Sequence, residues 1–318
     1  MIYSPHGRDL LTLLQKRFEQ IHPEIAVHWL DMGSQEVYDR VRSERANPQA
    51  DLWFGGPATI FARGVQDSLL EPFRPTWAGT IAPHGQGPHD LYFAAYETPA
   101  VIVYADQALT PAQAPQDWDD LLDPKWKGKI LIKDPLTSGT MRAVWGLLIE
   151  RGLKRGPDTL AAFSWLKRLD AQTKEYVLNS TLLDQKIVRQ EALITIWDLP
   201  DILLSRREGL QLGYVFPKSG TPVIEDAIGI VKGARHQAAA RLWEEWIGSA
   251  EAQLLATRDA YRLPARQDLP ADSLPEWARE VRRQMVPAVD MDWDVMAVHG
   301  GDWMRYWDEQ IRGRGRAP

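Results

Sequence analysis

Three short loops hold the residues best suited to gripping a small ligand: Ser4-Pro5-His6-Gly7, Gly55-Gly56-Pro57 and Thr137-Ser138-Gly139-Thr140. Each follows a short hydrophobic run and leads into an amphipathic one. A helix that starts at such a loop presents unpaired N–H groups and the positive end of its dipole, which suits a phosphate or a carboxylate. Ordinary helix capping is the competing use of each loop taken singly. Ser138-Gly139-Thr140 is the sharpest of the three, because two hydroxyls and a residue without Cβ let side-chain and backbone donors converge on one oxyanion. Trp197-Asp198 is a second pointer. An indole can stack on a sugar ring while the carboxylate accepts from its hydroxyls; the alternative is a core Trp with Asp198 capping a helix near Pro200. Glu225-Asp226 and Thr98 stand beside extended runs and are further candidates, with surface charge as the competing reading for the two acids. Arg142 and Lys218 could neutralise an anion or serve as solvated surface charges.

Signatures of catalysis are absent. Gly85-Gln86-Gly87 opens like a dinucleotide fingerprint, but Asp90 stands where the third glycine belongs and the loop is rich in Pro and His. There is no nucleophile-elbow serine motif, no phosphate-binding P-loop and no His-Glu-x-x-His. Cys is 0, which removes thiol nucleophiles, thiolate metal sites and disulfides together. With seven histidines and several serines, a catalytic triad assembled in space stays open at this point.

The elements that must position these loops follow from periodicity. Leu10, Leu11, Leu14, Phe18 and Ile21 recur at helical spacing, and His22-Pro23 closes that helix. Ile25, Val27 and Trp29 alternate as a strand, Ser34 is placed to cap a helix carrying Val37 and Val41, and Asp51 to Phe54 forms a third strand. Strand and helix in alternation with short loops argue for a parallel sheet in an α/β domain. Residues 91–104 form a long extended run interrupted at Glu97-Thr98-Pro99, and 224–231 form another. Between them lies a second α/β unit with strands at 129–132, 192–197 and 212–216 and helices opening near 138, 158 and 181. Two extended crossings predict two lobes, a cleft between them, and closure on a ligand by hinge bending.

The chain has 318 residues, enough for about two domains. A hydrophobic fraction of 44% supports a full core, and Lys+Arg 37 against Asp+Glu 43 gives a net charge of −6, which speaks against a nucleic-acid binder. No stretch reaches the roughly 20 apolar residues that cross a bilayer. Met1 runs directly into the first strand, so two histories fit: a cytoplasmic protein, or one whose secretory leader has been removed. With 14 Trp, most indoles belong to the core and one or two could line a ligand surface. The tail Arg312-Gly313-Arg314-Gly315-Arg316 reads as a frayed end.

Several segments carry a family resemblance. Pro115 to Gly128, Lys129 to Thr140, Tyr3 to Gly7, Val223 to Ala234, Ser249 to Gln253 and Tyr261 to Asp268 together resemble the extracellular solute-binding proteins of ABC importers, nearest the ferric-iron, sugar-phosphate and phosphonate group. The resemblance implies a two-lobed type-2 periplasmic-binding α/β fold, each lobe a mixed sheet flanked by helices. It also implies a monomer outside the cytoplasm, its leader removed, that delivers a small solute to a membrane permease. Iron-binding members carry adjacent tyrosines just after the strand equivalent to 192–197. This chain has Trp197-Asp198-Leu199-Pro200 there and no Tyr-Tyr pair. Hard Fe³⁺ needs several anionic oxygens, so the expectation shifts to a small anionic solute such as a sugar phosphate, a phosphonate or an organic acid, with no cofactor and no metal. A neutral sugar, a ferric-ion carrier and a cytoplasmic enzyme acting on a phosphorylated small molecule are the rivals. The expected ligand set is Ser4, His6, Gly7, Gly55, Gly56, Thr98, Glu225 and Asp226 from the first lobe (1–97 plus 225–318). Ser138, Gly139, Thr140, Trp197 and Asp198 come from the second (98–224), with hinges near 95–99 and 222–227.

Overall fold

The structure, a computed structural model, describes residues 1–156 and 162–314. It divides into two compact units, Met1–Thr98 with Ile224–Arg283 and Pro99–Val223 with Gln284–Pro318. The start of the helix expected at 158 and the last residues of the Arg-Gly tail lie outside the described residues.

In the first unit, β1 (Ile2–Ser4), β2 (Trp29–Asp31) and β3 (Leu52–Pro57) are parallel, with β1 in the middle. Each is followed by a helix: α1 (Arg8–Ile21), α2 (Ser34–Ser43) and α3 (Ala58–Gln66). Leu10, Leu11, Leu14 and Phe18 of α1 are buried as their spacing predicts. Phe18 meets Trp243 and Trp246 of the later helix Gln237–Ile247, with ring centroids 4.9 and 5.5 Å away. The strand expected from Ile25 shrinks to Trp29–Asp31. β4 is Leu70–Glu71, β5 runs from Phe93 to Ala105, and β10 (Val223–Val231) lies antiparallel to β3 and β4 and borders β5.

Two expected breaks are absorbed into strands. Gly55 and Gly56 remain inside β3 with φ of +100° and +96°, and the pairing with β10 slips in register between Asp226 and Ile228. That is a bulge made possible by two residues free to take positive φ. Pro99 does not end β5. Glu97 and Tyr96 pair with Leu263 and Pro264 on one side of it, and Ala100 onward pairs with β8 (Ile194–Asp198) on the other. Proline, which has no N–H to give a ladder, sits where the partner changes.

The second unit holds β6 (Ile130–Lys133), β7 (Thr173–Val177), β8 and β9 (Leu212–Val215) around the second half of β5, in the order β9-β5-β8-β6-β7. β6 is parallel to both β7 and β8. Its helices include α4 (Gly139–Arg155), α5 (Ser164–Gln172), α6 (Ser180–Val188) and α7 (Leu199–Arg207). One expectation is corrected. The segment after Arg283, expected in the first lobe, belongs to the second unit, because the final helix Trp293–Gln310 packs there. Trp307 meets Trp145 of α4 and Tyr176 of β7 edge-on at 5.9 and 5.1 Å, and Glu150 accepts from the Asp292 N–H at 2.8 Å. The chain therefore crosses between units three times, at 98/99, 223/224 and 283/284.

The glycine bulge generates a direct test. A Cβ on Gly55 would stand 2.5 Å from the His6 ring, and that ring is held edge-on against Phe54 and Tyr96. Gly55→Ala combines positive-φ strain with this clash and should cost about 2–4 kcal/mol in urea denaturation. Gly209→Ala, at φ +93° with no atom within 4 Å, should lose only the strain, about 1–2 kcal/mol. Equal losses would mean that the His6 ring yields.

Candidate functional site

In the first unit the strand-end loops converge on the Asp226 carboxylate. Asp226 Oδ1 accepts from the Gly56 N–H at 3.2 Å, Oδ2 accepts from the Thr98 hydroxyl, and His6 Nε2 lies 3.8 Å from Oδ2. Ser4 Oγ accepts from the His6 N–H at 3.2 Å, and Arg262 donates to the His6 carbonyl at 3.2 Å. Burial alone would raise the Asp226 pKa. The hydrogen bond and charge of His6, the Arg262 guanidinium and the Thr98 hydroxyl outweigh it and leave the carboxyl below its usual range. Ser4, His6, Gly55, Gly56, Thr98 and Asp226 thus form one buried cluster. Its members bond chiefly to one another, which makes it the frame of the loops.

Around that frame the backbone is open. The N-cap positions of α1, α2 and α3 are Gly7, Gly33 and Pro57, and none supplies a side-chain cap. Gly7 has φ +79° and no atom within 4 Å of where a Cβ would stand. Ser34, expected as a cap, is instead the first residue of α2, buried 3.2 Å from the Cβ position of Gly56. Because β1, β2 and β3 are parallel, all three helix starts lie at one edge of the sheet, the edge where open α/β sheets bind ligands. Their first N–H groups are available to an anion.

Glu225 lies next to this frame but bonds differently. Its Oε1 lies 2.7 Å from His84 Nε2. Burial, with the neighbouring Glu97 carboxylate adding to it, pushes the Glu225 pKa up to about 7. Glu97 is raised too, by burial, with Arg282 opposing.

The second unit repeats the geometry with capped helices. Ser138 Oγ accepts from the Met141 N–H at 3.2 Å, Asn179 Oδ1 from the Leu182 N–H at 2.9 Å, and Asp198 Oδ1 from the Asp201 N–H at 3.1 Å. These caps begin α4, α6 and α7 at the ends of β6, β7 and β8, again at one sheet edge. Ser138 keeps a hydroxyl hydrogen to donate, and the N–H groups of Gly139 and Thr140 lie at the open first turn. Trp197 is buried, and its Nε1 donates to Asp201 Oδ2 at 3.0 Å. The indole thus has a hydrogen-bonded place in the core and one Asp198 oxygen caps α7; the second Asp198 oxygen takes no part in the cap.

Arg142 donates to the carbonyls of Pro135 and Leu136 at 3.2 and 2.8 Å, bracing the loop before Ser138. Lys218 is exposed on the turn after β9. Sequence reasoning passed over Arg262, Tyr96, His84 and Lys133. Lys133 Nζ reaches Thr137 Oγ1 at 3.3 Å and the Leu178 carbonyl at 2.6 Å. Its place as the last residue of a strand, directly before Asp134-Pro135, was the available signal. Arg262 gave none, since its partner His6 is 256 positions away.

The Glu225 shift fixes a pH dependence. With a folded pKa of about 7 against the ordinary 4.5, the unfolded chain releases this proton first. Stability falls as pH rises through that window, by on the order of 3 kcal/mol once both states are ionised. Glu225→Gln removes the titration, so relative to wild type the variant should gain stability between pH 5 and pH 8 in thermal denaturation. An unchanged difference would place the Glu225 carboxyl in water.

Comparison with known proteins agrees with this architecture. The family model described as bacterial extracellular solute-binding protein matches residues 14–284. A probable ABC transporter periplasmic-binding protein of Sinorhizobium fredii, y4fP, is 25% identical over 98% of this chain and 86% of its own. Among solved structures, the periplasmic binding protein AfuA from Actinobacillus pleuropneumoniae with fructose 6-phosphate bound aligns at a TM-score of 0.85, with 24% identity over 98% of both chains. A ferric binding protein from Campylobacter jejuni aligns at 0.81, with 19% identity over 97% of this chain and 98% of its own. At these identities the solved structures establish the fold, that of periplasmic binding proteins. The family match spans most of the chain, and its members are transport binding proteins rather than enzymes. With strand-end loops of each unit built around helix N-termini and no catalytic motif in the sequence, the chain belongs to the bacterial extracellular solute-binding protein family.

Proposed function

We propose that this protein captures a small anionic solute outside the cytoplasmic membrane, as a monomer, and hands it to the permease of an ABC importer. The observation that carries the reading is the gathering of helix N-termini at the carboxyl edge of parallel strands in each unit. Three of these lack side-chain caps in the first unit, and one in the second begins with Ser138-Gly139-Thr140. Such an edge is built from donors, and donors select oxyanions. In the first unit the open N–H groups that follow Gly7 at the start of α1 offer donors to an anionic group, and in the second unit Ser138, Gly139 and Thr140 do so; Trp197, Asp198 and Glu225 read other parts of a solute. Capture shifts an equilibrium between open and closed forms, and the permease accepts the closed form.

A ferric cargo fits less well. The end of β8 carries Trp197-Asp198-Leu199-Pro200 in place of paired phenolates.

Native mass spectrometry of freshly purified protein, followed by thermal shift with inorganic phosphate, fructose 6-phosphate, a phosphonate, citrate, fructose and Fe³⁺, tests the reading. A solute present at about 100 times its Kd adds about 2.7 kcal/mol and several degrees. A shift with a phosphorylated or phosphonate compound is expected, and none with fructose. A shift with Fe³⁺ alone, accompanied by a visible phenolate-to-iron band, would overturn the anionic reading. Asp198→Asn keeps the helix cap but removes the charge. It should leave the unliganded melting temperature nearly unchanged and weaken the winning solute at least about tenfold; an unchanged affinity would remove Asp198 from the site.

A further inference from the structure

We propose that Lys133 is the counter-charge for the solute's anionic group, holding it at the end of β6 together with the Ser138 hydroxyl and the first N–H groups of α4. This deepens the reading above and rests on it.

Lys133 is the last residue of β6 and only 8% exposed. An ammonium has three N–H donors. Two are used, by Thr137 Oγ1 at 3.3 Å and the Leu178 carbonyl at 2.6 Å, and both of these acceptors are neutral. Among the described residues, no carboxylate forms an ion pair with it. The adjacent Asp134 is already committed: its Oδ1 accepts from the Leu136 N–H at 2.8 Å, and its Oδ2 is bound by the Arg312 guanidinium. The face of the Trp197 ring, with its centroid 5.9 Å from Nζ, is the other electron-rich neighbour, at the outer limit of a cation–π contact.

A buried ammonium without an anion is an unfavourable state. Its desolvation costs several kcal/mol that neutral acceptors only partly return. Burial accordingly lowers the Lys133 pKa, with Asp134 opposing. Thr137 is exposed, and it directly precedes Ser138, the cap of the 17-residue α4. An oxyanion there would accept hydrogen bonds from the third ammonium N–H, the Ser138 hydroxyl and the Gly139 and Thr140 N–H groups, while the Thr137 hydroxyl stays on the Asp134 carbonyl at 3.2 Å. A neutral hydroxyl would leave the charge unanswered, so Lys133 selects for anions over neutral solutes.

Calorimetric titration of wild type, Lys133→Met and Lys133→Arg with inorganic phosphate, fructose 6-phosphate, citrate and fructose tests the proposal. Lys133→Met should raise the melting temperature of the unliganded protein and weaken fructose 6-phosphate by about 10- to 100-fold. Lys133→Arg should keep binding within about tenfold, since the charge stays. Lys133→Gln gives the same readout with a polar side chain should the Met variant fail to fold. If wild type binds fructose 6-phosphate and Lys133→Met binds it equally, Lys133 is not the counter-charge, while the importer reading stands. If wild type binds fructose or none of the anions, the anionic reading and the role of Lys133 fall together. Preference for phosphate over citrate would assign a tetrahedral oxyanion, and the reverse a carboxylate.

Discussion

Burying the Asp226 carboxylate is the constraint around which the first unit is arranged. A carboxylate taken out of water costs several kcal/mol unless donors replace its hydration. Here two donors come from separate stretches of chain, the Gly56 N–H from the bulge in β3 and the Thr98 hydroxyl from β5, and His6 and the Arg262 guanidinium, which bonds to the His6 carbonyl 256 positions away, add electrostatic support. The bulge serves this bond, since positive φ at Gly55 and Gly56 turns the Gly56 N–H toward the acid. His6 then fills the space that a Cβ on Gly55 would need. The loops that begin α1 and α3 are fixed by an electrostatic requirement as much as by apolar packing.

The two units meet the same requirement at their sheet edges in different ways. In the first, the three helix starts are free of side-chain caps, and the negative charge is drawn inward to Asp226. In the second, Ser138, Asn179 and Asp198 cap the helices, and a buried ammonium stands at the end of β6. Open N–H groups in the first unit and a cation in the second each favour negative charge, by different chemistry. Glu225 and Glu97 are the exception, two acids close together in the first unit with raised pKa values.

Much of the fold was written locally. The spacing of Leu10, Leu14 and Phe18 sets the buried stripe of α1, and the alternation of short strands with helices sets parallel ladders whose ends carry the loops. Other features escaped because their causes are distant. Pro99 reads as a strand break, yet β5 exchanges partners at that point and needs no N–H from it. The C-terminal helix reads as an extension of the first unit, yet Trp307 finds Trp145 and Tyr176 in the second. No periodicity encodes which core a Trp-bearing stripe will join.

The candidate site divides along the same line. Sequence by itself determined the residue types at the strand ends, the glycines that permit positive φ, the missing thiols and the missing tyrosine pair, because each is a property of adjacent residues. Tertiary structure alone decided that Asp226 and His6 turn inward as frame, that Asp198 caps α7 while Trp197 bonds to Asp201, and that Arg142 braces its own loop. It also decided that Asp134 pairs with Arg312 and that, among the described residues, no carboxylate forms an ion pair with Lys133. Charge balance is a sum over neighbours in space, and a linear sequence does not say which neighbours those are.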